Sequence, residues 1–467
     1  MNDGMIAKAL WAAEDAAAAT GGELIGQDSW IATGVSIDTR SLEPGDLFVA
    51  LKDARDGHDF VGDAFARGAA AALVSRRVDT EGAQLLCADV LEGLRALARA
   101  ARARSAARCI AVTGSVGKTS VKEALALALG ASGQTHAAAK SFNNHFGVPL
   151  TLARMPPSSA YGVFEIGMNH PGEIAPLAQL VRADAAIVTT IAPVHLEHMG
   201  TLQAIAAEKA EIFSGLTPGG AAIIPAEAPH ADILIARAQS VGARIIRIGR
   251  DAACEARLLS FTEDGDGATA EAEIMGRRIA YRIGAPGAPW ATNALAVLAA
   301  CAAIGADLDA AAAALARLEA APGRGQARAI NAAFGRFTLV DDAYNASPVS
   351  MSAAIETLAK RPAKRRIAAL GDMLELGPEE KSFHAAIAGP LAQAGVDLVF
   401  CAGPRMAALW EALPPNLRGG YADNADSLIS LLAGALREGD VVLVKGSNGA
   451  RMGRVVEALA KLNQAGV

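Results

Sequence analysis

Three α/β domains are predicted from this sequence. They are a small mixed α/β N-terminal domain over residues 1–106, a central phosphate-loop ATPase-type parallel sheet over 107–321, and a C-terminal Rossmann-like doubly wound sheet over 322–467. Three observations carry that reading. An apolar run, CIAV at 109–112, leads into TGSVGKTS at 113–120, and a helical pattern leads out over 121–129. Apolar strand-like runs ending in polar residues then recur through the middle of the chain. From about 337 onward strand and helix patterns alternate, as in a doubly wound sheet. A length of 467 residues also suggests about three domains.

In the first hundred residues short strands and helices mix. Residues 35–40 (VSIDTR) read as a strand end, SLEPGD at 41–46 as a turn, and 47–51 as a second strand. Helical spacing runs over 64–72, a strand is expected at 71–74, and a long Ala/Arg-rich helix covers 91–107. In the central segment, strands at 161–164, 185–191 and 220–224 lead to Glu165, to Pro193 and His195, and into a further buried run. Alternation over 256–283 around Asp264, Gly265, Asp266 and Gly267 reads as an antiparallel hairpin. An Ala-rich helix at 294–304 closes the segment, and APGRG at 321–325 connects it to the next. Strands are expected at 337–340, 367–370, 398–401 and 441–444, with helices after Ser347-Pro348, Pro378, Pro404 and Gly449.

The composition, 52% hydrophobic and 20% charged, is globular. A net charge of −6 without basic runs argues against a nucleic-acid partner. The five cysteines (Cys87, Cys109, Cys254, Cys301, Cys401) are scattered, odd in number and without metal spacing, which predicts reduced thiols in a cytosol. Charged residues such as Asp3, Lys8 and Glu14 interrupt the N-terminus, and the longest apolar run, 294–306, is too short to span a bilayer. A cytoplasmic protein without membrane insertion is expected.

The chemistry begins at the glycine-rich turn. Backbone N–H groups of Thr113, Gly114, Ser115, Val116, Gly117, Lys118, Thr119 and Ser120 lie where a helix N-terminus meets an anion. Lys118 adds a point charge, and the Thr119 hydroxyl can ligate Mg2+. Val112 stands where the full Walker pattern has its first glycine. The expected ligand is ATP. Thr119 and Glu165 are candidate oxygen ligands for one or two Mg2+ ions. His195 is either a third ligand or a loop histidine bonded to backbone. Lys209, within EKAE at 208–211, reads from its neighbours alone as a solvated helix lysine. Asp342 in DDAYN at 341–345 could grip a ribose or cap the next helix. Asn143 and Asn144 carry no chemistry readable on their own. Two classes fit: an ATP-dependent ligase or kinase, and an ATPase that couples hydrolysis to movement.

The motifs together resemble the Mur ligase family over nearly the whole chain. TGSVGKTS is similar to that family's nucleotide loop. SFNNHFGVPLTL at 141–152, EIGMNHPGEI at 165–174, LVDDAYNASPVSM at 339–351 and SIDTRSLEPGDLFVALKDARDGHDF at 36–60 look like the member that adds D-alanyl-D-alanine to UDP-N-acetylmuramoyl-tripeptide. The resemblance implies an acyl phosphate made from ATP and the tripeptide carboxylate, then attacked by the dipeptide amine. It implies catalytic roles for Lys118, His195 and Lys209, and metal binding by Thr119, Glu165, His195 and a carbamylated Lys209, with two Mg2+ ions. It places nucleotide contacts at Asn293, Arg324 and Asp342, with Pro289 and Trp290 where the family pattern has His-Asn. The N-terminal domain would take the UDP-sugar through Thr39 and Arg40, with Asn143 and Asn144 on the same side. Asn345 and Lys445 of the C-terminal domain would face the dipeptide. A monomer with an open ligand-free form, hinged near Arg324, is expected. Within the family, the ligase adding the third residue and a folylpolyglutamate-like relative are the alternatives.

Overall fold

Where each apolar run could pair decided the architecture. The computed structural model describes residues 9–139, 141–264 and 267–463, so Asp3, Lys8 and the hairpin residues Gly265 and Asp266 lie outside the described residues. Among the described residues three large sheets follow one another along the chain, besides a two-stranded pair of Trp11–Ala12 with Ile31–Ala32. The first has five strands in the order Glu23–Ile25, Gln84–Leu86, Ala71–Val74, Asp46–Val49, Gly34–Ser36, parallel except at the Glu23–Ile25 edge. Here two expectations are corrected. The helix placed at 64–72 is Val61–Ala66, because the chain turns at Gly68 with φ +90°. The helix placed at 91–107 is Val90–Arg104, started by the Asp89 carboxylate, which accepts the Glu92 N–H at 2.7 Å.

That helix buries Val90, Leu94, Leu97 and Ala101, and packs on the helix Gly147–Ala153 of the next sheet's layer. Trp11 seals the junction. Its indole N–H donates to the Ala153 carbonyl at 2.9 Å, and the Arg104 guanidinium lies 3.8 Å from its ring centroid.

The central sheet has nine strands. Arg108–Thr113 lies between Tyr161–Glu165 and Ala183–Val188, all parallel. The register sets Glu165 beside Val112, and Val188 beside Thr113. Glu165, the phosphate loop and the chain leading to His195 therefore leave the sheet at one end. Ile110, Val112, Val121 and Leu125 fill one face, and Phe164, Ile166, Val188 and Phe213 the other. Fully burying each such side chain stabilises by about 1.5–3 kcal/mol. The expected hairpin is a three-stranded meander, Ala256–Glu263, Ala268–Ile274 and Arg277–Ile283, which extends the same sheet.

The C-terminal sheet has six strands, five of them parallel. It opens with an unexpected antiparallel pair, Gln326–Ala332 and Gly335–Asp342. Asp342 sits in register with Lys445 at the carboxyl ends of neighbouring strands. Ser347 starts the helix Pro348–Lys360 with a capping box to Ser350. Among the described residues no helix is long and apolar enough to cross a membrane.

Candidate active site

The phosphate loop is held from behind by the strand-end segment 189–192. Thr189 Oγ1 donates to the Val116 carbonyl at 2.6 Å, and the Ser115 N–H donates to the Thr190 carbonyl at 2.9 Å. Ser115 Oγ accepts the Ala192 N–H at 2.9 Å. Gly114 has φ +146°, and a Cβ there would fall 1.9 Å from Thr189 Oγ1. Gly117 has φ +90°, and its Cβ would meet the Asn293 amide at 3.3 Å. The second contact places Asn293 directly against the loop. Lys118 begins the helix Lys118–Gly130 and donates to the Gly114 carbonyl at 2.7 Å. Burial lowers the Lys118 pKa, Glu165 opposes that, and Arg324 reinforces it.

Thr119 is the hub of a buried polar network. Its hydroxyl donates to Glu165 Oε2 at 2.8 Å, lies 3.0 Å from Ser141 Oγ, and accepts from Arg324 Nη2 at 2.7 Å. Asn143 Nδ2 donates to the other Glu165 oxygen at 2.7 Å. Asn144 does a different job: its Oδ1 accepts the Gly147 N–H at 2.9 Å and closes the turn before the helix Gly147–Ala153. A hydroxyl beside a carboxylate is a hard oxygen pair of the kind Mg2+ accepts alongside water and phosphate oxygens. Among the described residues no three His, Cys, Asp or Glu side chains gather as a metal cage.

Lys209 corrects the reading from its neighbours alone. Its residue is 1% exposed, within the helix Leu202–Ala210, rather than solvated. Burial pushes its pKa well below the ordinary lysine value, the Lys118 charge pushes the same way, and Glu208 opposes. The adjacent Glu208 carboxylate accepts the N–H groups of Gly172 (2.8 Å) and Ile174 (2.9 Å), which fixes the EIGMNHPGEI segment. His195 bonds a side chain rather than backbone: its Nδ1 meets a Glu375 carboxylate oxygen from the C-terminal domain.

On the facing domain, Lys445 Nζ pairs with Asp342 at 2.8 Å and donates to the Asn345 carbonyl at 2.9 Å. Burial raises the Asp342 pKa, against the pull of Lys445. The turn 321–325 brings Arg324 across. Asp341 Oδ2 accepts the Gly323 N–H at 3.0 Å, and the Asp341 carbonyl accepts the Gly325 N–H at 2.8 Å. Tyr344 lies under the Arg324 guanidinium at 4.2 Å. The expected open gap is not seen. Opposite charges and polar groups of the two domains meet at Arg324 with Thr119, Glu375 with His195, and Lys360 with Glu263.

Between these domains lies a cavity of about 1120 Å³. It collects Ser115, Val116, Gly117, Lys118, Thr119, Ser120, Asn143, Asn144, Glu165, His195, Asn293, Arg324, Asp342, Asn345 and Lys445, with Pro289 and Trp290. Thr113, Gly114 and Lys209 do not line it. Neither do Thr39 and Arg40, which form the short 3-10 helix Thr39–Ser41 of the N-terminal domain, where Arg40 is exposed and paired with Asp38 at 2.7 Å. The sequence reading assigned no role to Ser141, Tyr344, Glu208 or Glu375. Ser141 and Tyr344 sit inside motifs already recognised, whereas Glu375 follows a strand-end GDM and has no motif of its own.

Family models match three stretches of the chain. "Mur ligase family, catalytic domain" matches residues 32–105, "Mur ligase middle domain" 112–301, and "Mur ligase, glutamate ligase domain" 323–448. The chain is 40% identical to the Escherichia coli (strain K12) UDP-N-acetylmuramoyl-tripeptide–D-alanyl-D-alanine ligase over 444 residues, covering 94% of this chain and 96% of that one. The crystal structure of MurF from Acinetobacter baumannii superposes with a TM-score of 0.84 at 27% identity, over 97% and 99% of the two chains. MurF ligase from Thermotoga maritima in complex with ADP gives a TM-score of 0.76 at 27% identity, over 92% and 97%.

Proposed function

The chain belongs to the Mur ligase family, and from that membership and the cavity's geometry we propose that it joins D-alanyl-D-alanine to UDP-N-acetylmuramoyl-tripeptide at the expense of ATP. The observation that carries this is a single cavity shared by the phosphate loop of one domain and by Arg324, Asp342, Asn345 and Lys445 of the next. A site walled by two domains can hold ATP, a carboxylate and an amine in line and keep water from the activated acyl group.

The reaction balances as follows. A tripeptide carboxylate oxygen attacks the γ-phosphorus of ATP, ADP leaves, and an acyl phosphate forms. The dipeptide amine then attacks the acyl carbon, loses a proton, and expels inorganic phosphate. Lys118, released from the Gly114 carbonyl, and the loop N–H groups balance charge on the transferring phosphoryl group. Asn293 and the Pro289–Trp290 segment face the base, and Asp342 the ribose. Thr119, Glu165 and His195 would hold Mg2+, which supplies charge neutralisation at the phosphates when bound. Burial and the nearby Lys118 charge bias Lys209 toward the neutral amine that carbamylation by CO2 requires. As a carbamate it would contribute oxygens to a second ion.

Thr39 and Arg40 on the N-terminal domain are assigned to the UDP end of the long substrate, with Asn143 and Asn144 nearer the reacting end. Asn345 and Lys445 are assigned to the incoming dipeptide. The enzyme is read as a cytoplasmic monomer that binds no nucleic acid; its net charge of −6 supports the last point, and the free, buried thiols Cys87, Cys109, Cys301 and Cys401 support the compartment.

Phosphate release from ATP, followed with and without each substrate and joined to mass analysis of the product, is the test. Release that needs both substrates and yields the UDP-linked pentapeptide is expected. Turnover indifferent to them would indicate an ATPase that couples hydrolysis to movement.

A further inference from the structure

The histidine expected at the metal belongs to the central domain, yet among the described residues its side-chain hydrogen-bond partner comes from the C-terminal one. His195 Nδ1 and Glu375 Oε2 are in direct hydrogen-bond contact. An ionised carboxylate only accepts, so Nδ1 is the donor in this bond and Nε2 is left for a partner on the other side of the ring. Both residues adopt left-handed backbone, φ +58° for His195 and +61° for Glu375. Non-glycine residues hold such angles where the surroundings over-determine them.

The surroundings of Glu375 do so. Its loop, 371–377, is tied down at successive residues. The Asp372 carboxylate accepts the Met406 N–H at 3.0 Å, His384 Nε2 accepts the Met373 N–H at 3.0 Å, and Ser447 Oγ accepts the Leu374 N–H at 3.0 Å. His384 is fully buried and fixed in turn by the Glu380 carbonyl, 2.7 Å from its Nδ1. The Glu375 carbonyl accepts the Glu197 N–H at 3.4 Å, so the loop also grips the short helix Leu196–Met199 that His195 begins. This scaffold presents one half-exposed carboxylate to one imidazole across the cleft.

We propose that Glu375 is the positioning residue of the metal-facing histidine, so that a carboxylate from the C-terminal domain sets the tautomer and orientation of His195 and completes the metal site as the cleft shuts. A carboxylate on the far nitrogen of a metal-binding histidine fixes the ring and raises its basicity. The inference rests on the reading of His195 as a metal ligand. It ties ion binding to domain closure without any contact between Glu375 and the ion.

Mn2+ is the probe, titrated into the full chain with a non-hydrolysable ATP analogue and followed by the electron paramagnetic resonance signal of free Mn2+, so that turnover plays no part. Glu375→Ala and Glu375→Gln should weaken Mn2+ binding about tenfold, with Glu375→Asp in between. His195→Ala should weaken it at least as much, and adding Glu375→Ala to it should change nothing further. Normal Mn2+ binding by both Glu375→Ala and Glu375→Gln, with His195→Ala impaired, would overturn the positioning role and leave the metal reading intact. Normal binding by His195→Ala would overturn both. An equal loss from Glu375→Ala with and without His195 would show that Glu375 acts through another group and defeat the proposal.

Discussion

Lys209 concentrates the conflict between stability and function in one side chain. A lysine that is 1% exposed, with a pKa pushed well down by burial and by Lys118, weakens the fold unless its charge is removed or used. Lys209→Met keeps the volume and drops the amine. It should raise the unfolding free energy by on the order of 1–3 kcal/mol and lower ligation by about a hundredfold or more. Denaturant unfolding and product formation read the two effects separately, and a lysine kept only for packing would show the gain in stability without the loss of ligation. The EKAE context gave no hint of this burial, because the charges on either side face different surroundings. Glu208 turns back to cap the 172–174 backbone, while Glu211 pairs with Arg237 at 2.9 Å.

At the scale of elements, legibility followed burial. The strand Arg108–Thr113 and the glycine-lysine turn after it were readable because five consecutive buried residues precede a loop with few chemical alternatives. The helix after Ser347-Pro348 was readable from its cap. The strand Gln326–Ala332 was not: only Ile330 is buried along it, so it has no apolar signature. Arg418–Ala422 was missed for another reason. Gly419 lies against the Phe400 ring, where a Cβ would come within 2.6 Å, and glycines there read as a turn.

The DGHDF turn of the first domain is a further element with a testable charge. Asp56 accepts the His58 N–H at 3.0 Å and contacts the His58 ring at 2.6 Å and Arg76 at 3.0 Å, which together hold its carboxyl well below the usual range. A depressed folded-state pKa adds stability that is fully present above the unfolded value and lost as pH falls through the folded one. Asp56→Asn should therefore be less stable than the wild type at pH 5 and above. The margin should close below about pH 4, near the unfolded carboxyl value. Denaturant midpoints across that range would measure it, and a margin that grew on acidification would contradict the assignment.

At the scale of the whole molecule, the cleft is where the central and C-terminal sheets meet. Parallel register delivers Glu165, the phosphate loop and His195 to one sheet end, and Asp342 and Lys445 to the facing one. That convergence was legible as a set of polar residues after strands. The contacts across it were not, since nothing local in the sequence ties Glu375 to His195 or Arg324 to Thr119. Arg324 spans the gap by stacking on Tyr344 while donating to Thr119. Arg324→Ala should raise the ATP KM about tenfold, and Arg324→Lys should not restore it, because an ammonium cannot stack and donate in the same way. Full rescue by lysine in steady-state assays would reduce Arg324 to a point charge.

In the proposed reaction this cleft activates a carboxylate by phosphorylating it. Tripeptide substrate labelled with 18O in its terminal carboxylate tests that most directly, with mass analysis of the phosphate released during ligation. One 18O carried from the carboxylate into each inorganic phosphate formed is expected. Phosphate free of label, released at the rate of product formation, would contradict it.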